Sequence, residues 1–165
     1  MYWYIFDPSG ICIARYSEAA LKEQHPDDWE EFLDAMVKPG GMKGSMNDRY
    51  DQIDLYADDG SIYYTPTALI EFDPEEIDGD GSSVSALTIR KVRKCDGEPM
   101  TLSDDNDSFD ISTSRGTLSA STGRFVNGVC EGITIQSSKE TVKAWIDINI
   151  IHDHAFPGTD YIKFV

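Results

Sequence analysis

The sequence predicts a two-part fold: a mixed α+β region over residues 1–82, followed by an all-β sandwich over residues 83–165. Three observations predict it. Apolar residues recur at helical spacing only in the first half, at Trp29, Phe32, Leu33, Met36 and Val37. In the second half they alternate, most clearly at Val142, Ala144, Ile146, Ile148 and Ile150, which turns one strand face toward a core. Between the halves stands Asp78-Gly79-Asp80-Gly81-Ser82-Ser83, short, polar and glycine-rich as a linker is.

Tyr2 to Phe6 is aromatic and β-prone. Asp7-Pro8-Ser9-Gly10 reads as a turn, and Ile11 to Tyr16 returns as the second strand of a hairpin. A short helix is expected from Ser17 to Gln24, with Ser17 as its cap. The stripe from Trp29 to Val37 gives a second helix. Pro26 fits its first turn, Asp27 and Asp28 suit its positive end, and Pro39-Gly40-Gly41 stops it. Residues 39 to 49 read as a mobile loop. Gln52 to Tyr56 and Ser61 to Tyr64, joined across Asp58-Asp59-Gly60, form a second hairpin, and Thr67 to Phe72 adds a strand to the first half.

The second half supplies strands at Ser85 to Lys94, Phe109 to Thr113, Thr117 to Ala120, Arg124 to Val126, Val129 to Ile135 and Val142 to Ile150. Turns at Asp96-Gly97-Glu98-Pro99, Ser114-Arg115-Gly116 and Asn127-Gly128 separate them. No fixed-period repeat runs through the chain, which excludes a solenoid.

The net charge is -16, of which -14 falls in residues 1–82 and -2 in residues 83–165. A surface of that sign repels phosphate backbones and anionic lipid, so neither nucleic acid nor membrane is an expected partner. No apolar run approaches the ~20 residues of a membrane helix. The opening has no basic stretch and its apolar run ends at Asp7, which does not fit a secretory signal. Cys12, Cys95 and Cys130 are odd in number and lack paired spacing. Synthesis in a reducing cytoplasm is the expectation.

The second half resembles the bacterial immunoglobulin-like domain of the invasin type. The resemblance rests on Gly97-Glu98-Pro99-Met100 and on Phe109 to Thr113 leading into Gly116-Thr117-Leu118-Ser119. It continues through Val126-Asn127-Gly128-Val129, Ile133 to Ser138 and Thr141 to Ala144. It covers about residues 84 to 150 and implies a sandwich used as spacer, adhesin or virion decoration. Residues 151 to 165 run past the family's last strand and are expected to add an edge strand from Tyr161 to Val165. The opening hairpin resembles, more faintly, the start of phage tail-fibre-associated proteins.

Candidate chemistry is sparse. His152 and His154 would share a face if the preceding strand continued, and two imidazoles can ligate a transition metal, although no third ligand is evident. A solvated strand end is the plain alternative. Asp78-Gly79-Asp80 and Asp104-Asp105-Asn106-Asp107 are oxygen-rich loops of the kind calcium favours, or ordinary solvated turns. The EF-hand pattern fails, because Ile89 stands where its closing Glu belongs. No nucleophile elbow, P-loop or dinucleotide motif is present.

Trp145 is out of phase with the buried residues of its strand. It is expected to face a binding surface, with Tyr63 and Tyr64 as further stacking candidates, or to pack under the 151–165 extension or on the first half, as large side chains do at domain junctions. Arg90-Lys91-Val92-Arg93-Lys94 is a basic strand expected to meet the acidic first half or another subunit.

These readings combine into one expectation. It is a non-enzymatic structural or interaction protein, a tail-associated component of a phage or prophage particle, without cofactor, whose partners are proteins or copies of itself. The alternatives are a module that binds a host-surface glycan and a hydrolase with an unrecognised site.

Overall fold

A computed structural model describes residues 1–101 and 107–165. The chain divides into two compact units, Met1–Thr65 and Pro66–Val165.

In the first unit, β1 (Tyr2–Phe6) is the middle strand of a three-stranded antiparallel sheet. It pairs on one side with β2 (Cys12–Ser17) and on the other with β3 (Met42–Met46). The helices α1 (Glu18–Gln24) and α2 (Trp29–Met36) lie between β2 and β3 in sequence. Their Leu21 and Leu33 pack with Ile5 on one face of the sheet, flanked by Trp3, Tyr16, Trp29 and Phe32. On the other face Tyr4, Phe6 and Cys12 meet Leu55 and Ala57. These two come from the hairpin β4 (Leu55–Asp58) and β5 (Ser61–Tyr64). Asp59 and Gly60 both take positive φ, +46° and +76°, as the two-residue hairpin turn requires.

Two expectations change here. Ser17 stands at the start of α1, but its hydroxyl makes no capping bond; Ser17 is still paired with Tyr2 in the sheet. The segment read as a mobile loop contains β3, paired to β1 along its whole length. Met42, Lys43, Gly44, Ser45 and Met46 carry no β-branched or aromatic residue, so local propensity is silent. The strand forms because Met42 and Met46 pack against the Tyr4–Phe6 cluster. At Gly44 a Cβ would come within 2.5 Å of Ile62 Cδ1, so a larger residue there would have to displace the end of that side chain.

The second unit is a β-sandwich. One sheet has the order β10 (Thr117–Leu118), β12 (Val129–Gln136), β8 (Val84–Arg93), β6 (Pro66–Asp73). The other has the order β11 (Thr122–Arg124), β9 (Ser108–Thr113), β13 (Thr141–Ile150), β14 (Gly158–Phe164), β7 (Glu76–Ile77). All pairings are antiparallel except β14 with β7. Alternate residues of both sheets close one core: Ile70, Leu87, Ile89 and Ile135 from the first, Phe109, Ile146, Ile148, Ile162 and Phe164 from the second. Strands β6, β8, β10 and β12 share a sheet, facing β9, β13 and β14. That is the strand order of an immunoglobulin-like sandwich.

The stretch expected to link two domains at 78–83 lies inside this unit, as a turn between β7 and β8. Gly79 N–H donates to Val165 O and Gly81 N–H to Ser137 O. Thr67 to Phe72 therefore belongs to the sandwich: β6 pairs with β8 from Pro66 to Asp73 and buries Ala68 and Ile70. The charge boundary near residue 82 is not a packing boundary. Charge resides on solvated faces, while unit membership follows the inward-facing residues.

The tail corrects another expectation. β14 is no appended edge strand; it lies between β13 and β7, with Ile162 and Phe164 in the core. Val142, expected in the buried set, is 76% exposed, because the register of β13 shifts between Thr141 and Ala144. The Asn127-Gly128 turn is as expected, with φ of +53° and +76°. Gly128 is doubly required, since a Cβ would stand 1.9 Å from Met100 O.

Candidate functional site

Trp145 lies on the outward face of β13, directly opposite Tyr161 of β14. The alternation that buries Ala144 and Ile146 turns the indole the other way. It is 41% exposed, and Tyr161 is 36% exposed. The two rings are 5.3 Å apart at 62°, an edge-on contact. Lys143 completes the group, its Nζ 5.3 Å from the Trp145 ring centre and 4.5 Å from that of Tyr161. Ser114 Oγ accepts the Trp145 N–H and Ser114 N–H donates to Trp145 O, which fixes the backbone there. Lys143 and Tyr161 were not legible as site residues. Lys143 lies two residues from Trp145, but Tyr161 joins it only through the β13–β14 register.

Beside Tyr161 is a depression of about 560 Å³ lined by Ile70, Glu71, Phe72, Glu75, Glu76, Asp160, Tyr161 and Lys163. Its carboxylates are partly matched. Lys163 pairs with Glu76 at 3.5 Å and Arg90 with Glu71 at 2.9 Å. The Asp160 side chain accepts the Tyr161 N–H at 2.8 Å, covering a donor on this strand.

Tyr63 and Tyr64 belong to the first unit and Trp145 to the second. Tyr63 is 41% exposed and stacks on Tyr56, ring centres 5.4 Å apart at 24°. Tyr64 points the other way. Its hydroxyl donates to the Tyr50 hydroxyl at 3.2 Å, and its ring packs against the Tyr4–Phe6 core.

His152 and His154 do not extend a strand, because β13 ends at Ile150 and the chain turns. Their rings are 6.1 Å apart, and the His154 N–H donates to His152 Nδ1 at 3.2 Å. Among the described residues no group of three or more His, Cys, Asp or Glu side chains is placed to hold a metal ion. Asp80, in one acidic loop, accepts the Ser82 and Ser83 N–H groups and both hydroxyls. Those bonds hold its carboxyl down at about 2. Residues 104–106 of the other loop lie outside the described residues, and Asp107 pairs with Lys91 at 2.7 Å. Burial pushes the Cys12 thiol up to about 11, the opposite of an activated nucleophile.

The basic strand finds its acids within its own unit. Arg90 pairs with Glu71, Lys91 with Asp107 and Arg93 with Asp96. Lys91 is only 6% exposed, on the core-facing side of β8.

No family model matches the chain, and no curated protein matches it. Solved structures do. The D0-D1 domain of intimin matches at 19% identity over 58% of this chain and 46% of that one, with a TM-score of 0.45. A C-terminal 282-residue fragment of intimin, solved in complex with the intimin-binding domain of the translocated intimin receptor, matches at 22% identity. It covers 58% of this chain and 32% of that one, with a TM-score of 0.45. A glycosyl hydrolase family 2 member from Bacteroides cellulosilyticus matches at 10% identity over 99% of this chain, with a TM-score of 0.53. This chain spans under half of either intimin chain and 21% of the hydrolase. The hydrolase likeness is one of fold. Strand order and a shared two-sheet core define the class of the second unit as an immunoglobulin-like β-sandwich, with an exposed aromatic pair on its five-stranded face.

Proposed function

We propose that the chain is a non-enzymatic structural and interaction protein that uses its sandwich for assembly or surface contact. The observation that supports this reading is the Trp145–Tyr161 pair. Two large aromatic rings are presented to solvent from a sheet whose other face is a consolidated core. Trp and Tyr set on rigid elements are the side chains that most often anchor protein contacts. Intimin, some of whose domains resemble part of this chain, is a protein solved bound to a receptor domain, and a contact role of that general kind is what we infer for this sandwich.

In its sharper form the proposal places the chain in a phage or prophage particle, associated with the tail. This form rests on the resemblance of the opening hairpin to tail-fibre-associated proteins. Cross-linking and mass spectrometry of purified particles from an induced lysogen test both forms. The expected result is the chain in particles, cross-linked to a neighbouring protein. Its absence from particles ends the virion form, and a chain that cross-links to no protein in cells or particles ends the interaction reading.

One observation favours a second reading, glycan binding. Tyr63 lies nearly parallel on Tyr56 and keeps an exposed side, which gives a flat aromatic surface. A glycan array on the intact protein tests it, and signal that survives Tyr63→Ala removes this surface from consideration.

A further inference from the structure

Lys143 is held in an unusual way for a cation in a chain of net charge -16. Seven of the fourteen lysines and arginines pair with carboxylates among the described residues, as Lys22 does with Glu18 and Lys163 with Glu76. Among the described residues, no ion pair to Lys143 is present; its ammonium rests over two aromatic rings instead. A ring face attracts the charge but supplies no lone pair to the three N–H donors. The rings also restrict where Nζ sits, so less side-chain freedom is lost when an acceptor arrives. The strand irregularity between Thr141 and Ala144 shapes this corner, and it leaves Val142 exposed beside the cation.

We infer that Lys143, Trp145 and Tyr161 form the docking point for a carboxylate-bearing segment of a protein partner. Lys143 is the anchoring cation and the rings are its wall. The inference rests on the interaction reading above and names the partner's chemistry. Charge complementarity selects that occupant: an ammonium without its own carboxylate, next to apolar surface, matches an acidic residue beside an apolar one. A sugar ring fits less well, because the two rings meet at 62° and the ammonium lies over both. Repulsion from the rest of the acidic surface is short-ranged at physiological salt, where charges more than about 8 Å apart are largely screened.

The test uses the full chain at physiological salt and a short synthetic peptide alternating Glu and Val, with a Gln-for-Glu peptide as control. Affinity is read by anisotropy. Place is read from the Trp145 indole N–H signal, identified with Trp145→Phe. The Glu peptide should move that signal, and the Gln peptide should bind about tenfold more weakly, as expected for a lost charge-assisted bond. Lys143→Gln should weaken the Glu peptide to the same degree, while Lys139→Gln leaves it unchanged.

Equal binding of both peptides, or indifference to Lys143→Gln, overturns the inference. So does an indole signal that moves with protein concentration alone, which would mark a second copy as occupant. So does movement with an oligouronate but not with the peptide. If the chain cross-links to a particle protein through another face, the interaction reading stands and this docking point falls. Peptide binding at Trp145 without any particle partner gives the reverse.

Discussion

The two units bury apolar surface in different ways. The sandwich has one continuous core, in which Phe109, Ile146, Ile148 and Ile162 of one sheet meet Leu87, Ile89 and Ile135 of the other. The first unit splits its burial across a three-stranded sheet, with Ile5, Leu21 and Leu33 on one side and Tyr4, Phe6, Cys12, Leu55 and Ala57 on the other. Much of what surrounds those clusters is half-buried aromatic surface such as Trp3, Trp29, Phe32 and Tyr50. Small units bury a lower fraction of their surface, and a core divided in two removes less water per ordered residue. The sandwich thus carries the stability reserve. It can therefore hold an exposed indole and a lysine on its outer face without loss of shape.

The largest expected effect comes from cutting each core. Ile146→Ala, at a fully buried position, should lower the sandwich's stability by about 2–5 kcal/mol. Leu33→Ala removes a comparable group from a thinner core, so the first unit should lose its native baseline in urea. Trp3 and Trp29 report on the first unit and Trp145 on the second, so fluorescence of single-Trp variants follows each separately. Coincident transitions for both reporters would break the comparison.

Next is the buried ion pair. Asp107→Ala removes a carboxylate that pairs with the Lys91 ammonium at 2.7 Å, on the core side of β8. A loss of about 1.5–3 kcal/mol is expected, read from the sandwich transition alone. Lys91→Met with Asp107→Ala should recover most of it, since an apolar pair of similar volume avoids the desolvation cost.

Cys12 sharpens the contrast through chemistry. With its thiol buried and raised to about 11, maleimide at neutral pH should leave it unlabelled until the first unit opens. Mass spectrometry across a urea series should show Cys12 labelling rise with the first unit's transition. Labelling of Cys12 in native buffer would mean that the unit opens more readily than its packing implies.

Smaller effects concern the turns. Asp7 accepts the Ser9 hydroxyl and the N–H groups of Ser9 and Ile11, and Asp80 the N–H groups of Ser82 and Ser83. Both carboxyls are lowered by those bonds. A depressed folded value means the contribution is complete above the unfolded value of about 3.9 and is lost as pH falls through the folded one. For Asp80 that window runs from about 4 down to about 2. Asp80→Asn keeps an acceptor without the charge, so the sandwich's urea midpoint should fall less steeply across it. Smallest is Lys22→Ala, which removes a solvated i, i+4 pair with Glu18 and should barely move the first unit's urea midpoint.

The outward direction of Trp145 was legible from the phase of one strand, and the turns at Asp59-Gly60 and Asn127-Gly128 from two residues each. Such signals are local: a side chain's face follows from parity along the strand, and a tight turn from the φ its residues tolerate. Packing of Trp145 under the 151–165 extension was one of its two expected placements, and the Tyr161 contact agrees with it; which residue of that extension it meets was not legible. Tyr161 lies sixteen positions away, in a segment expected only as an added edge strand, and the β13–β14 register sets it opposite. The same limit hid β3, whose residues have no strand preference, and misassigned β6, whose neighbours are the acidic residues of the first half.

By itself, then, the sequence determined the alternation of the long strands, the helical stripe of α2, the sharp turns and the acidic character of the surface. Each is decided by a residue and its near neighbours. Tertiary structure alone decided where one unit ends, which strand joins which sheet, and that Lys143 rests on two rings rather than on a carboxylate. Those outcomes depend on burial shared between residues far apart in the chain, and no window of sequence contains both sides of such a contact.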